Sequence, residues 1–548
     1  MDLFVKILFI ALFFIATIFI GFYCRKKATN SNDFVLGGRN VGPWLSAFAY
    51  GTSYFSAVIF IGYAGSFGIA FGVSAFWIGI GNALIGSWLA WALLGRKTRI
   101  MTQSLNSSTM PDFFAKRFKS EGLRIFAAVI IFIFLIPYTA ALYNGLSYLF
   151  NVTFSANVPY WVWILIISVA TGLYVIIGGL MSTALNSFVQ GLIMLVGIAL
   201  VIIFALNLNG GLMGSFTALA DKGWQFTSLF GPDPVHLLFV VLLTSLGCWG
   251  LPQMVGKFYS IKNENQIRKG SVISTAFAIV VAGGCYFLGG FGLLFLKADR
   301  SNSKTIIPDM VAQLPVVIVA IVLVLVLAAS MSTLSGLVHT SASTVTFDLL
   351  DRKKKMPEKK KMIWLRALVV VFIIVSAGLA IFQVYGPANL TKDIASLMGI
   401  SWGAISGAFI GPFFFGLYWK KTTKTSVYAS FISGIIISVV GLILSMSGVS
   451  AKITSESAGF TICWFDFADS IYMGVAAMIL SFIIVPTVSS FTKKPEGVDE
   501  MFECYNKKVV VTSDTALTDD KNAEFKEPAV NEVKAGEPEM DEMTEEGA

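Results

Sequence analysis

Residues 315–350 read PVVIVAIVLVLVLAASMSTLSGLVHTSASTVTFDLL: an apolar run, then small and hydroxyl side chains, with no charge before Asp348. Hydrocarbon offers no water to solvate polar groups. The hydroxyls of Ser330, Ser332, Thr333 and Ser335 in a spanning helix therefore either bond back to a carbonyl one turn up or face something polar. Helix packing and a binding site both fit the pattern, and the segment is where a site is to be sought first.

The rest of the chain is built in the same way. Its 548 residues are 56% hydrophobic, 14% aromatic and only 13% charged, with a mean hydropathy of +0.76, which excludes a soluble globule. Apolar blocks of roughly 20 residues can each cross about 30 Å of hydrocarbon as a helix. They fall near residues 3–23, 43–70, 73–95, 123–149, 159–179, 185–208, 235–257, 271–296, 313–347, 364–386, 391–418, 426–448 and 469–490. The expected fold class is an all-α membrane protein with about thirteen transmembrane helices.

Basic residues cluster on alternate loops. Arg25, Lys26, Lys27 and Arg39 precede the second block; Arg96 to Lys119, Lys257 to Lys269, Arg352 to Lys361, Lys420 to Lys424, and Lys493 with Lys494 follow later odd-numbered ones. The positive-inside rule puts this side in the cytoplasm, with the amino terminus outside and the carboxyl terminus inside. An odd number of spans is needed to keep all these clusters on one side. The first block ends in Cys24-Arg25-Lys26-Lys27, a stop-transfer flank, and reads as an anchor in the cell membrane rather than a cleaved signal.

Other classes of function find little support. The net charge of +8 belongs to these anchoring loops, and the basic run at 351–361 has no interleaved aromatic residue, so no nucleic-acid partner is expected. Five scattered cysteines give neither a disulfide framework nor a metal site. A membrane-embedded enzyme would want acids, histidines or cysteines clustered at one depth. A sensor or receptor would need an output module, and the acidic stretch at 492–548 is expected to be a disordered tail.

Two blocks contain residues poorly suited to continuous helix: Gly51-Thr52-Ser53 in the second, and Gly247, Gly250 and Pro252 in the seventh. Each is the first of five blocks. That matches inverted-repeat carriers, whose broken helices expose carbonyls and helix ends at the midplane. The division is then 1–41 for the first span and loop, 42–208 and 209–424 for the two repeats, and 425–491 for two additional spans.

Several motifs carry a family resemblance: AAxMSTxxS at Ala328 to Ser335, DFVLGGR at Asp33 to Arg39, GGLMSTALNSFVQG from Gly178, Gly250-Leu251-Pro252, and Gly411-Pro412 with Gly416 to Trp419. In these the chain resembles the sodium:solute symporters over about residues 3–490. The resemblance implies a leucine-transporter-like fold of five-plus-five inverted repeats, import of a small organic solute, sodium as coupling ion and no cofactor. It maps a sodium site onto the carbonyls of Thr52, Phe55 and Ala329 and the hydroxyls of Ser332 and Thr333. Coupling to sodium rather than protons also fits the lack of an Asp or Glu well inside any span. His339 is the one mid-range titratable group there, and a structural role is expected of it.

Where some members carry an acid and a serine at a second ion site, this chain has Ser187 and Gly336, so one sodium is expected. Proline-type members carry an Asp where Tyr54 stands, and aromatic residues where Thr244 and Cys248 stand. The sequence around Thr52 to Gly62 looks more like the pantothenate and monocarboxylate branch, with an amino acid such as proline as the other choice. Candidate pocket residues are Tyr54, Ser56, Tyr138, Asn144, Trp249 and Gln253, polar-tipped or aromatic and close to a break or a facing helix.

Overall fold

In a computed structural model the described residues are 2–24, 31–154, 158–295, 306–353, 355–387, 394–447, 449, 452–457 and 460–506. Among them, 11 helices are long and apolar enough to cross a membrane, and 12 when the bent pair Pro234–Trp249 and Pro252–Tyr259 is taken as one span. One of the 11, Val58–Ser104, has 47 residues. At about 1.5 Å per residue it would reach about 70 Å, more than twice the hydrocarbon thickness. Its length calls for two spans, and Gly72, with φ 64° and ψ −142°, ends the helix Ala64–Phe71 between them. Residues 58–71 continue the span that Pro43–Tyr54 begins, and with this division the helices can be laid out as the thirteen spans expected from the sequence.

The long helix Tyr160–Asn207 is likewise two spans, split at Gly179 (φ 58°, ψ −158°). A side chain there would also run into Phe34, 2.8 Å away. The span holding the hydroxyl cluster is the most enclosed but one. Its apolar window is 83% buried, against 89% for Ser396–Tyr418 and 11% for Asp2–Cys24. The first span therefore presents most of its surface outward to lipid, whereas the ninth and eleventh are core. That burial is what leaves their hydroxyl and indole groups dependent on protein partners.

The second and eighth spans meet at van der Waals distance. A Cβ at Gly68 would lie 1.9 Å from the carbonyl oxygen of Gly289, so only two hydrogens at these positions allow the contact. Small residues are the usual means of bringing spans together where no hydrophobic drive exists between helices. At the basic end, the guanidinium of Arg39 donates to the carbonyls of Ser107 (2.6 Å), Tyr259 (3.3 Å) and Thr102 (3.4 Å), tying together the ends of the second, third and seventh spans. Burial, helped by nearby Arg99, pulls the Arg39 pKa down to about 10. Thr109 donates to Asp348 at 2.6 Å and Arg124 pairs with Asp112 at 2.9 Å, linking the short helix Met110–Arg117 to the ninth and fourth spans.

Two features depart from the sequence expectation. The loop between the last two spans folds into an antiparallel hairpin, Lys452–Ser457 with Phe460–Asp466. The compact unit also runs on to Asn506, past the boundary expected at 491. A short helix Val498–Phe502 and the 3-10 turn Glu503–Tyr505 follow the last span, with their aromatic residues set against cations: Lys97 sits 3.9 Å over the Tyr505 ring and Arg117 5.0 Å from Phe502. The rest of the stretch expected to be disordered, 507–548, lies outside the described residues.

Candidate functional site

The second span is helical through Tyr54 and then opens, with Phe55 extended at φ −95° and ψ 132°. The break thus falls after, not at, Gly51-Thr52-Ser53. Gly51 remains helical, and a Cβ there would meet the Phe277 ring at 2.6 Å, so this glycine serves packing. The opened turn strands backbone groups in the core. The ninth span supplies the partners: Ser330 Oγ accepts from the amide of Ala57 at 2.9 Å.

Thr333 Oγ1 stands at the centre of the exposed carbonyls, 3.2 Å from Phe55 O, 3.2 Å from Ala329 O, 3.4 Å from Thr52 O and 3.5 Å from Ser53 O. A hydroxyl carries one hydrogen and can satisfy one of these four acceptors. The surplus of oxygen lone pairs, in a place closed to water, is a feature that a small hard cation would neutralise. Next to it, Thr52 Oγ1 and Ser332 Oγ lie 2.7 Å apart, and Ser332 Oγ lies 2.9 Å from Ser187 Oγ on the sixth span. All five residues expected at the sodium site are brought together. Sequence reasoning missed the Ser53 carbonyl, which the same break exposes. It read Ser187 only as a missing acid, whereas its hydroxyl joins this cluster.

The seventh span breaks at Gly247–Trp249, a single 3-10 turn, and restarts with Pro252 at the first helical position, bent by 41°. Trp402 of the eleventh span closes on both breaks. Its ring lies 3.1 Å from where a Gly247 Cβ would be and packs edge-on against Tyr54 (centroids 6.2 Å apart) and Tyr138 (5.9 Å). Tyr138 faces both Trp402 and Ser56, and Ser56 Oγ, Tyr138 Oη and Trp402 Nε1 are all buried with no well-aligned hydrogen bond beyond one another. Three buried polar groups held only by one another are a set that a polar ligand can take over. Trp402 was not foreseen. The sole tryptophan of a span rich in glycine and serine is the signal that could have found it.

The other candidates are dispersed. Tyr54 donates to the Thr244 carbonyl and borders the region around Trp402. Asn144 donates to Gln383 on the tenth span. Six residues beyond Tyr138, it lies about 120° away around the helix. Trp249 donates from Nε1 to Ile85 O at 3.0 Å. Gln253 lines a different cavity, toward the basic end, with Gly336, His339, Thr340 and Ser343. Thr244 and Cys248 are taken up by local bonds, to Asn82 at 2.9 Å and to Gly86 O at 3.2 Å.

Residues 34–434 match the family model of the sodium:solute symporter family. The chain belongs to this family. Its relatives include the osmoregulated proline transporter OpuE of Bacillus subtilis (strain 168), 28% identical over 87% of this chain and 93% of that protein. Another is the sodium/proline symporter of Escherichia coli (strain K12), 29% identical over 76% of this chain and 84% of that one. Among solved structures, a Na+-coupled sialic acid symporter, substrate-bound and outward-open, superposes with a TM-score of 0.68 at 18% identity, covering 89% of this chain and 98% of that one. The fold is thus the leucine-transporter-like one, and the protein is a multi-pass, sodium-coupled symporter of small solutes.

Proposed function

We propose that one sodium ion bound by the carbonyls of Thr52, Phe55 and Ala329 and the hydroxyls of Ser332 and Thr333 drives import of a carboxylate-bearing solute held beside Trp402. The observation that carries this reading is the single Thr333 hydroxyl hydrogen set among four carbonyl oxygens at a helix break. Neutral oxygens suit a monovalent cation that must leave again, and no proton-accepting side chain takes part in the cluster. Below it on the ninth span, Gly336, Thr340 and Ser343 lie on nearly the same helix face and line the cavity toward the basic end, a route for release. The basic loops support a cytoplasmic location for that end and an amino terminus outside.

Ser56, Tyr138 and Trp402 bring two hydroxyls and an indole N–H together, a set that can turn from one another onto a carboxylate. Proline, pantothenate and short monocarboxylates share that group. Proline is supported by the named relatives. The absence of an acid at Tyr54 fits the monocarboxylate branch. Trp249, Asn144 and Gln253 act around this pocket rather than in it: the first braces the break, the second locks the fourth span to the tenth, and the third lines the exit.

Binding of radioactive sodium to the purified full-length protein tests the ion site without knowledge of the solute. Saturable binding with a Hill coefficient near one is expected, lost in Thr333→Val and retained in Thr333→Ser. Equal binding by the valine variant would remove the site from the account.

A further inference from the structure

A second cavity lies away from the transport site, at the basic end, between the short helix Met110–Arg117, the start of the twelfth span and the segment after the thirteenth. It measures about 460 Å³ and is lined by Arg117, Lys119, Lys424 and Lys493, with Thr423 among the hydroxyls and Glu496 as its one acid. Four cations against one carboxylate leave a strong positive excess in a concave space.

Arg117 is what makes this more than a basic surface. Its side chain is 1% exposed, an unusual position for a guanidinium. Nε donates to Gly416 O at 2.9 Å and Nη2 to Trp419 O at 3.2 Å, which fixes the plane of the fork. Nη1 has no hydrogen-bond partner. The rings of Phe118 and Phe502, each 5.0 Å from the guanidinium carbon, offset part of the cost of burying this charge, and an anion would offset more of it. Burial already lowers the Arg117 pKa to about 10, consistent with a cation short of counter-charge. The helix Lys424–Ser447 begins at the same cavity, adding the partial positive charge of its amino terminus.

The surroundings say where the anion comes from. From Lys424 the outer face of the twelfth span climbs through Ile432, Ile436, Val440 and Ile443, exposed by 46%, 55%, 43% and 59%, an apolar strip spaced at three and four residues. Phe491, two residues before Lys493, is 87% exposed. A ligand with a phosphate and acyl chains would fill the cavity with its head and cover the strip with its tails.

We propose that this cavity binds the phosphate of an anionic phospholipid in the leaflet at the basic end. Neither sodium nor solute binding requires it.

Native mass spectrometry of the full-length protein, with phosphatidylglycerol or phosphatidylcholine as the added lipid, tests this. Phosphatidylglycerol should be retained preferentially. Lys424→Gln/Lys493→Gln should weaken it about twenty-five-fold, at roughly fivefold per lysine. Lys359→Gln/Lys360→Gln, two exposed lysines in the first turn of the tenth span, should leave it within about twofold. Both target lysines are exposed, so these variants fold where Arg117→Gln would lose two hydrogen bonds of a buried side chain. Equal retention by the two double variants would overturn the proposal. A parallel arm with inorganic phosphate separates the sources: protection by phosphate with no preference for phosphatidylglycerol would overturn the lipid assignment.

Discussion

Replacing Thr333 by valine keeps the branched shape of the side chain and removes the one hydroxyl at the centre of the oxygen cluster. The hydroxyl lies 3.2 Å from two carbonyls and 3.4 and 3.5 Å from two more, so the substitution takes away one ligand of the ion and the only donor those carbonyls share there. A bond to a charged group is worth about 1.5–3 kcal/mol, or about 10- to 150-fold in an equilibrium constant. The concentration of sodium giving half-maximal uptake should rise by that factor in proteoliposomes. Maximal uptake at saturating sodium should fall much less. Thr333→Ser restores the hydroxyl and should lie within about threefold of the parent. An unchanged sodium dependence in Thr333→Val, with normal protein abundance, would refute the reasoning, because no other donor replaces that hydroxyl.

Other expectations follow from other parts of the molecule. Trp402→Phe removes the Nε1 donor but keeps most of the ring, and should raise the solute KM by about 5- to 100-fold while sodium binding in the absence of solute is preserved. Gly68→Ala forces a methyl onto the Gly289 carbonyl and should destabilise the protein by about 1–3 kcal/mol or more, seen as a lower melting temperature in detergent; Gly378→Ala, where nothing lies within 4 Å, should not. Truncation after Asn506 should leave the melting temperature unchanged, whereas truncation after Phe491, which removes the Tyr505 and Phe502 contacts, should lower it. A cysteine at the exposed Thr217 should react with an impermeant thiol reagent in intact cells, and one at Lys359 only after permeabilisation; the reverse pattern would invert the proposed orientation.

The parts legible in the sequence are those that hydrocarbon forces into view. A run of hydroxyls in an apolar helix has to be explained by a partner, and Ser332 and Thr333 lie where that logic puts them. Broken spans show themselves through glycine and proline, and the seventh breaks at Gly247 to Leu251 as read. The second was placed a turn too early, because Gly51 is there for the Phe277 ring and the opening itself depends on Ser330, a residue 273 positions away from Ala57 in the chain. The pocket was harder. Trp402 and Ser187 gain their significance from contacts across the bundle, which no local pattern records. Asn144 looked exposed to a ligand because its amide partner, Gln383, sits 239 residues further on. The helix at 498–502 was hidden for a similar reason: an acidic composition suggests solvation, and the cation–ring contacts that hold it belong to Lys97 and Arg117.

The central claim is that a sodium gradient drives solute inward through this chain. Proteoliposomes containing the purified full-length protein, loaded with potassium and diluted into sodium, should accumulate labelled proline or pantothenate above its external concentration, then release it as the gradient decays. Replacing external sodium by potassium, or imposing a proton gradient alone, should abolish accumulation, and Thr333→Val should require far more sodium to restore it. Accumulation of either solute to the same level without sodium, or driven by protons alone, would contradict the account.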